Sequence, residues 1–303
     1  MTLNSIYVDN LIKTALLEDI NYLDTTTDYL IDENQENTAI FLAKSSGVLC
    51  GIEVALRVFE ILQPNGFEAK VYKHDGDKLV KGEIIAEIHG KTRTILKGER
   101  TALNLIQHMS GIATATNKAV EIVSGTKASI ADTRKTLPGM RPLQKYAVTV
   151  GGGRNHRYNL SDAAMLKDNH IGAAGGVAKA VAMARAYAPF VRKIEIEVEN
   201  LDQTREAVEA GADIIMLDNM SDADMRAAVQ LIAGRAQTEC SGNVTKENIA
   251  RLKDIGVDFV SSGALTHSAP ILDLSMKHLR PLDKEEALSL IHISEPTRLD
   301  VIS

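Results

Sequence analysis

From residue 127 onward this chain repeats one unit, a short β-prone run followed by a helix-prone stretch. The runs are KASIADT, AMLKD, KIEIEVE, DIIMLD, QTECS and DFVSSG, with segments such as LDQTREAVEAG and TKENIARLKDIG between them. Strands alternating with helices imply parallel βαβ units, because a parallel return needs a crossover long enough to hold a helix. Each run closes on a charged or hydrogen-bonding side chain: Asp132, Thr133 and Arg134, then Lys167, Glu197, Asp218, Ser241 and Ser262. The last five are separated by 30, 21, 23 and 21 residues, one βα repeat each time. Polar groups at the C-terminal ends of successive strands converge on one mouth of an α/β barrel, whereas a doubly wound sheet gathers them at a switch point. The pattern predicts a barrel with its chemistry at that mouth.

Residues 132–171 add cations to that mouth. They hold Arg134, Lys135, Arg141, Lys145, Arg154, Arg157 and Lys167, with His156 and His170, against Asp132, Asp162 and Asp168. The whole chain of 303 residues carries a formal charge of -6, so the excess is local. A solvated basic face is the plainer reading, but here the cations alternate with apolar residues and a Gly-Gly-Gly turn. Arg134 and Arg157 suit bidentate contact with carboxylates, and Lys167 suits a point-charge contact. Glu197 and Asp218, on separate strands, suit a Mg²⁺ that keeps waters and bridges to phosphate oxygens, although ion pairing with a nearby base would also account for either. Ser241-Gly242-Asn243 and Ser262-Gly263-Ala264 end strands with small residues, and their backbone N–H groups can accept a phosphate. Alone, each reads as a cap; as a pair they look like the phosphate grip of many barrels. His156 and His170 lack partners at zinc-ligand spacing. His156 reads as a group that binds an anion or moves a proton, and His170 as a capping residue.

The first half reads differently. A helix is expected over 6–20, strand–turn–strand over 37–50, a helix over 52–63, strands over 67–72 and 83–95, and one or two helices over 99–123. This is a small α+β domain. No apolar run approaches the roughly 18 residues of a membrane span, and the first ten residues lack the pattern of a secretory signal. Two distant cysteines, Cys50 and Cys240, point to a reducing cytoplasm. The acidic balance argues against general nucleic-acid binding.

The segment TRKTLPGMRPLQKYAVTVGGGRNHRYNLSDAAMLKDNHI closely resembles the signature of the quinolinate phosphoribosyltransferases. So do GERTALNLIQHMSGIAT at 98–114, IEIEVEN at 194–200, ADIIMLDNM at 212–220 and SSGALTHSAPILDLSM at 261–276. The likeness runs from about residue 10 to about residue 282. It implies an α/β protein with an N-terminal α+β open sandwich over 1–112 and a seven-stranded α/β barrel over 113–267. Residues 268–282 would pack back on the first domain. The activity implied joins quinolinate to phosphoribosyl pyrophosphate, with Mg²⁺, giving nicotinate mononucleotide, pyrophosphate and CO2 in NAD biosynthesis. A cytoplasmic homodimer with shared sites is implied, further assembly to a hexamer being open. By matching motif, Arg100 would reach into the neighbouring subunit's site. Thr133, Arg134, Lys135, His156, Arg157 and Lys167 would line the quinolinate pocket, and Glu197 and Asp218 the phosphoribosyl and metal side. Ser241, Gly242, Asn243, Ser262, Gly263 and Ala264 would form the phosphate-binding turns. Lys135, Lys167, Glu197 and Asp218 are the catalytic candidates.

Other readings stand beside it. A related transferase could take nicotinate, or a relative could serve molybdenum transport, but a monoacid would leave cations unpaired. HDGDKLVKGEIIAEI at 74–88 resembles the hairpin of biotinyl and lipoyl carriers without an evident modification lysine, and Lys167 could be the Schiff-base lysine of an aldolase. The tail over 283–303 lacks a motif and is assigned no function.

Overall fold

The computed structural model describes residues 3–242 and 246–280, and the chain divides into two compact units. One unit contains Asn4–Ser46, Gly51–Gln107 and residues 273–280. It opens with α1 (Ser5–Asp19) and α2 (Thr25–Leu30). Both helices start where a side chain satisfies first-turn N–H groups: Asn4 accepts from Tyr7 N at 3.2 Å, and Asp24 from Thr26 and Thr27 N at 3.1 and 3.0 Å. Then follow β1 (Glu36–Ala43), β2 (Gly47–Val48, which belongs to the other unit), α3 (Ile52–Leu62), β3 (Glu68–Val71), β4 (Lys78–Leu79), β5 (Ile84–Lys91) and α4 (Thr92–Val123). β1 and β3 both pair antiparallel with β5. The core is aromatic, Phe59 packing edge-on to Phe41 and stacking on Phe67 with centroids 6.2 and 5.5 Å apart. The hairpin-like turn after His74 has a structural use: Asp75 Oδ1 accepts the N–H groups of Gly51 and Ile52 at 2.8 and 3.1 Å, capping α3. The strand expected over 83–95 stops at Lys91, and a single 32-residue helix takes over at Thr92.

The second unit contains Gly47–Cys50 and His108–Leu272, so α4 passes from one unit to the other. Its elements are β6 (Ser129–Ala131), α5 (Arg141–Val150), β7 (Ala164–Leu166), α6 (Asp168–Ala174), α7 (Val177–Tyr187), β8 (Ile194–Val198), α8 (Leu201–Glu209), β9 (Ile214–Asp218), α9 (Asp222–Ile232), β10 (Gln237–Ser241), α10 (Lys246–Leu252), β11 (Phe259–Ser261) and α11 (Ala264–His267). β7 to β11 and β6 form one parallel sheet in the order β6-β11-β10-β9-β8-β7. Seven strands were expected. Six are present among the described residues, and Arg154 forms a single parallel bridge to Ala131 on the far side of β6, standing in for a seventh. The chain then returns as β12 (Leu274–Arg280), which pairs antiparallel with β1 and completes the first unit's sheet in the order β12-β1-β5-β3.

Strand alternation decides what each face of the barrel sheet carries. Ile196, Val198, Ile215, Leu217, Cys240 and Val260 pack against Val177 and Val181 of α7, Ala207 of α8 and Met225, Ala228 and Ile232 of α9. Their neighbours in sequence therefore point the other way: Glu195 and Glu197, Met216 and Asp218, Glu239 and Ser241. The register agrees, since Glu197 pairs with Met216, Met216 with Glu239, and Asp218 with Ser241.

The tight glycines of GGG serve packing. A Cβ at Gly151 would lie 2.5 Å from Ala113 O of α4, and one at Gly153 would lie 2.8 Å from Thr116 Cγ2. These glycines let α5 and its exit approach α4.

Candidate active site

A cavity of about 480 Å³ opens among the C-terminal ends of the barrel strands, bounded by Thr133, Arg134, Lys135, His156, Arg157, Met165, Lys167, Glu197, Met216, Asp218, Asn219, Glu239, Ser241, Gly242 and Ser261. The cations come from the loop after β6, the segment before β7 and the end of β7. The carboxylates come from β8 and β9, so opposite charges are held on separate elements.

The basic segment sorts into two jobs. Arg134, Lys135, Arg157 and Lys167 face the cavity. Arg141 instead ties loop backbone together, donating to Thr136 Oγ1 at 3.0 Å and Tyr158 O at 3.1 Å. Lys145, on α5, is fully buried and donates to Asp132 Oδ1 at 2.5 Å and to His156 O at 3.0 Å. Burial pushes Asp132 up and Lys145 down, toward their neutral forms, and their mutual attraction opposes both shifts. His170 caps α6, its Nδ1 accepting Lys167 N at 3.1 Å.

Arg134 and Arg157 each bury an Nε that finds no acceptor among the described residues. Arg157 spends Nη1 on Ala163 O at 3.1 Å. Burial, and then the charge of Arg134, lower its pKa. Two guanidinium groups so placed are prepared for an anion with more than one carboxylate.

Across the cavity Lys167 Nζ sits 2.5 Å from Glu197 Oε2. This ion pair gives Lys167 a partner, unlike a Schiff-base lysine activated in an apolar niche. Burial and then the charge of Glu197 raise the Asp218 pKa. Neighbouring carboxylates that repel in this way offer hard oxygen donors, and a divalent cation relieves the repulsion, so the pair fits Mg²⁺. Asn219 Nδ2 steadies Asp218 Oδ2 at 2.8 Å. Gly242 takes φ +91°, and a Cβ there would lie 2.3 Å from Asn219 Oδ1, so only glycine lets the end of β10 approach this corner.

Ser241 and Gly242 border the cavity, whereas Ser262, Gly263 and Ala264 do not line it. Gly263 packs beside Lys135, where a Cβ would lie 2.9 Å from the lysine Cδ, and Thr266 Oγ1 donates to Lys135 O at 2.8 Å. Asn243 and the tail over 283–303 lie outside the described residues. Arg100 is exposed on α4 and does not line the cavity.

Two buried carboxylates beside His156 escaped the reading of strand ends. Glu195 and Glu239 lie one layer deeper, 1% and 3% exposed, around His156 Nε2 at 3.1 and 3.4 Å. Their signal was available: in IEIEVE and QTECS, Glu195 and Glu239 stand two residues before Glu197 and Ser241, on the same strand face. Burial lowers the His156 pKa, while the hydrogen bonds and charges of both glutamates raise it. Burial raises Glu195, against its bond to His156. The groups titrate as one coupled trio that retains an extra proton, and because Nδ1 accepts Arg157 N that proton lies on Glu195 while the ring keeps its single hydrogen on Nε2. The three residues could be taken for a metal set. However, Nδ1 accepts Arg157 N at 2.8 Å, which places a proton on Nε2, the nitrogen a metal would need bare.

Comparison with known proteins places the chain among relatives. Residues 112–277 match the family model described as quinolinate phosphoribosyl transferase, C-terminal domain, and residues 24–110 the N-terminal domain. A probable nicotinate-nucleotide pyrophosphorylase [carboxylating] of Bacillus subtilis (strain 168) is 44% identical over 90% of this chain and 94% of that protein. The nicotinate-nucleotide pyrophosphorylase [carboxylating] of Mycobacterium leprae (strain TN) is 43% identical over 88% and 95%. The crystal structure of NadC from Streptococcus pyogenes superimposes with a TM-score of 0.90 at 48% identity, covering 93% of this chain and 100% of that one. The nicotinate-nucleotide pyrophosphorylase structure from Francisella tularensis gives 0.85 at 39%, covering 91% and 97%.

Proposed function

The chain belongs to the quinolinate phosphoribosyltransferase family, and we infer that it joins quinolinate to phosphoribosyl pyrophosphate with loss of CO2, yielding nicotinate mononucleotide and pyrophosphate for NAD biosynthesis. The observation that carries the substrate is the pair Arg134 and Arg157, which line the same cavity as Glu197 and Asp218.

In this reading Arg134, Lys135 and Arg157 clamp the two adjacent carboxylates of quinolinate and set the ring nitrogen for in-line attack on the ribose carbon. As pyrophosphate leaves, positive charge builds on the ribose, and the carboxylates of Glu197 and Asp218 stabilise it from across the cavity. Lys167, paired with Glu197, fixes that carboxylate. Ser241 and Gly242 offer backbone and hydroxyl contacts to phosphate oxygens. The new bond makes the ring nitrogen cationic, so it stabilises the electron pair left on the adjacent ring carbon as CO2 departs, and a proton from water then takes the place of the lost carboxylate. Met165 and Met216 line the same cavity and help exclude water there. Glu197 and Asp218 would hold Mg²⁺, directly or through water, and the ion would supply charge neutralisation of the departing pyrophosphate.

The reading extends to a cytoplasmic homodimer. Cys50 and Cys240 are both buried and not joined in a disulfide, which suits a reducing compartment. No helix among the described residues is long and apolar enough to cross a membrane. Ile6, Leu17, Tyr29 and Leu30 stand between 65% and 75% exposed on α1 and α2, apolar surface that suits a second copy. The deciding assay incubates the protein with phosphoribosyl pyrophosphate and Mg²⁺ plus quinolinate or nicotinate. Nicotinate mononucleotide and CO2 from quinolinate alone are expected; product from nicotinate alone would reassign the substrate.

A further inference from the structure

Every polar atom of His156 is already committed to the protein. Its backbone N–H donates to Asp132 Oδ1 at 2.8 Å, and its carbonyl accepts from Lys145 Nζ at 3.0 Å. Nε2 lies 3.1 Å from Glu195 Oε2 and 3.4 Å from Glu239 Oε2. Nδ1 accepts the backbone N–H of Arg157 at 2.8 Å. A ring nitrogen that accepts cannot also carry a proton, so the hydrogen sits on Nε2 and points at the two carboxylates. Neither ring nitrogen is left to bond a ligand.

The glutamates need a reason to be there. Barrel interiors are filled by layers of mostly apolar branched side chains. Two carboxylates buried side by side carry a desolvation cost and repel each other. Glu239 even leaves Oε1 buried with no partner among the described residues. Packing alone would be better served by leucine or methionine at both positions. What the pair does provide is an acceptor for Nε2–H from β8 and another from β10, which selects one tautomer of His156.

That tautomer has a consequence one residue on. With Nδ1 held as an acceptor, the Arg157 backbone is pinned. Its guanidinium is anchored at Nη1 by Ala163 O, and Nε is left without a protein acceptor beside the cavity. We propose that Glu195 and Glu239 are positioning residues for the acid-binding pocket: through the Nε2–H of His156 they hold Arg157 where its guanidinium grips the substrate carboxylate. His156 then acts through Arg157 rather than by touching the substrate. The proposal rests on reading this cavity as the quinolinate site.

Two double variants of the full-length protein test it. Glu195→Leu with Glu239→Leu removes both acceptors, while Glu195→Gln with Glu239→Gln keeps shape and an acceptor oxygen at each position. The leucine pair should raise KM for quinolinate roughly tenfold or more while leaving KM for phosphoribosyl pyrophosphate unchanged, because only one pocket loses its geometry. The glutamine pair should restore most of that loss. Equal changes in both KM values, or a leucine pair with wild-type KM for quinolinate, would overturn the assignment. The tautomer is read independently on the unaltered protein, by ¹⁵N NMR of labelled histidine. A His156 with bare Nδ1 and protonated Nε2 supports the proposal, and an Nε2 without its proton, or a doubly protonated ring, sinks it whether or not the leucine pair folds. Absence of turnover in the unaltered protein would instead count against the quinolinate reading, and the NMR result would still decide the clamp on Arg157.

Discussion

A buried donor left without an acceptor costs about 1–3 kcal/mol, and this pocket tolerates two of them, at Arg134 Nε and Arg157 Nε. Like charges worsen the balance, since Arg134 helps to lower the Arg157 pKa after burial has done most of the work. A bound dianion cancels the repulsion between the two guanidinium groups, so stability and function pull in opposite directions here. Arg134→Ala should therefore lower kcat/KM for quinolinate about a hundredfold or more. Its Tm should stay at or above that of the parent, because a repelling, under-satisfied charge has gone. Steady-state kinetics beside a thermal melt check both halves, and near-parental turnover would remove Arg134 from the pocket. The residue types were readable in the sequence because arginine and lysine in an acidic chain announce an anion. Their division of labour was not. Nothing in DTRKTLPGMR says that Arg141 is spent on Tyr158 O and Thr136 Oγ1 while Arg134 faces the cavity. That depends on how the loop closes.

Elements were legible where period and length agree. KIEIEVE alternates with period two, DIIMLD is a short apolar run, and both end on acids, so β8 and β9 could be placed together with the strand ends that carry Glu197 and Asp218. The sequence reading left the short helices α5 and α6 unassigned, and α5 begins on Arg141-Pro142, a favourable start that needs tertiary context to be believed. α5 earns its place by carrying Lys145 to Asp132, a pair with both side chains 0% exposed. Lys145→Met should destabilise the protein by about 3–5 kcal/mol, because it strands a buried carboxylate. Adding Asp132→Asn should recover part of that loss, so a double-mutant cycle in urea should show clear coupling, and additive losses would contradict the pairing. A second element-scale contact sets an acid limit. Asp258, just before β11, accepts from Thr238 N and Oγ1, both at 2.8 Å, and pairs with Lys127 at 3.2 Å. Burial raises its pKa, but these bonds and charges outweigh burial and hold it below the usual carboxylate value. A depressed folded pKa gives stability that is present above the unfolded pKa, about 3.9, and lost as pH falls through the folded value. Asp258→Asn should cost about 1–2 kcal/mol at neutral pH. The difference from the parent should shrink as pH drops below about 4, and a pH-independent difference in denaturant midpoints would show the charge to be irrelevant.

At the scale of the whole molecule, contacts between copies leave no period in a chain, so oligomeric state is the property least readable from sequence. Arg100 is where it can be tested. It is exposed on α4 and absent from the cavity walls, although the family resemblance assigns it to a substrate site. An arginine that binds substrate without lining its own chain's pocket has one remaining way to do so, in a second copy. In a symmetric dimer, each site would combine its own Arg134 with Arg100 of the partner. Arg100→Ala and Arg134→Ala proteins should each be nearly inactive. Mixed and reassociated from denaturant in equal amounts, half of the dimers are hybrids. Each hybrid has one site with both defects and one with neither, so activity should return to about a quarter of the parent value. An Arg100 acting within its own chain leaves every hybrid site carrying one defect, and the mixture stays inactive. A monomer by light scattering under assay conditions, with full activity, would remove the shared site altogether.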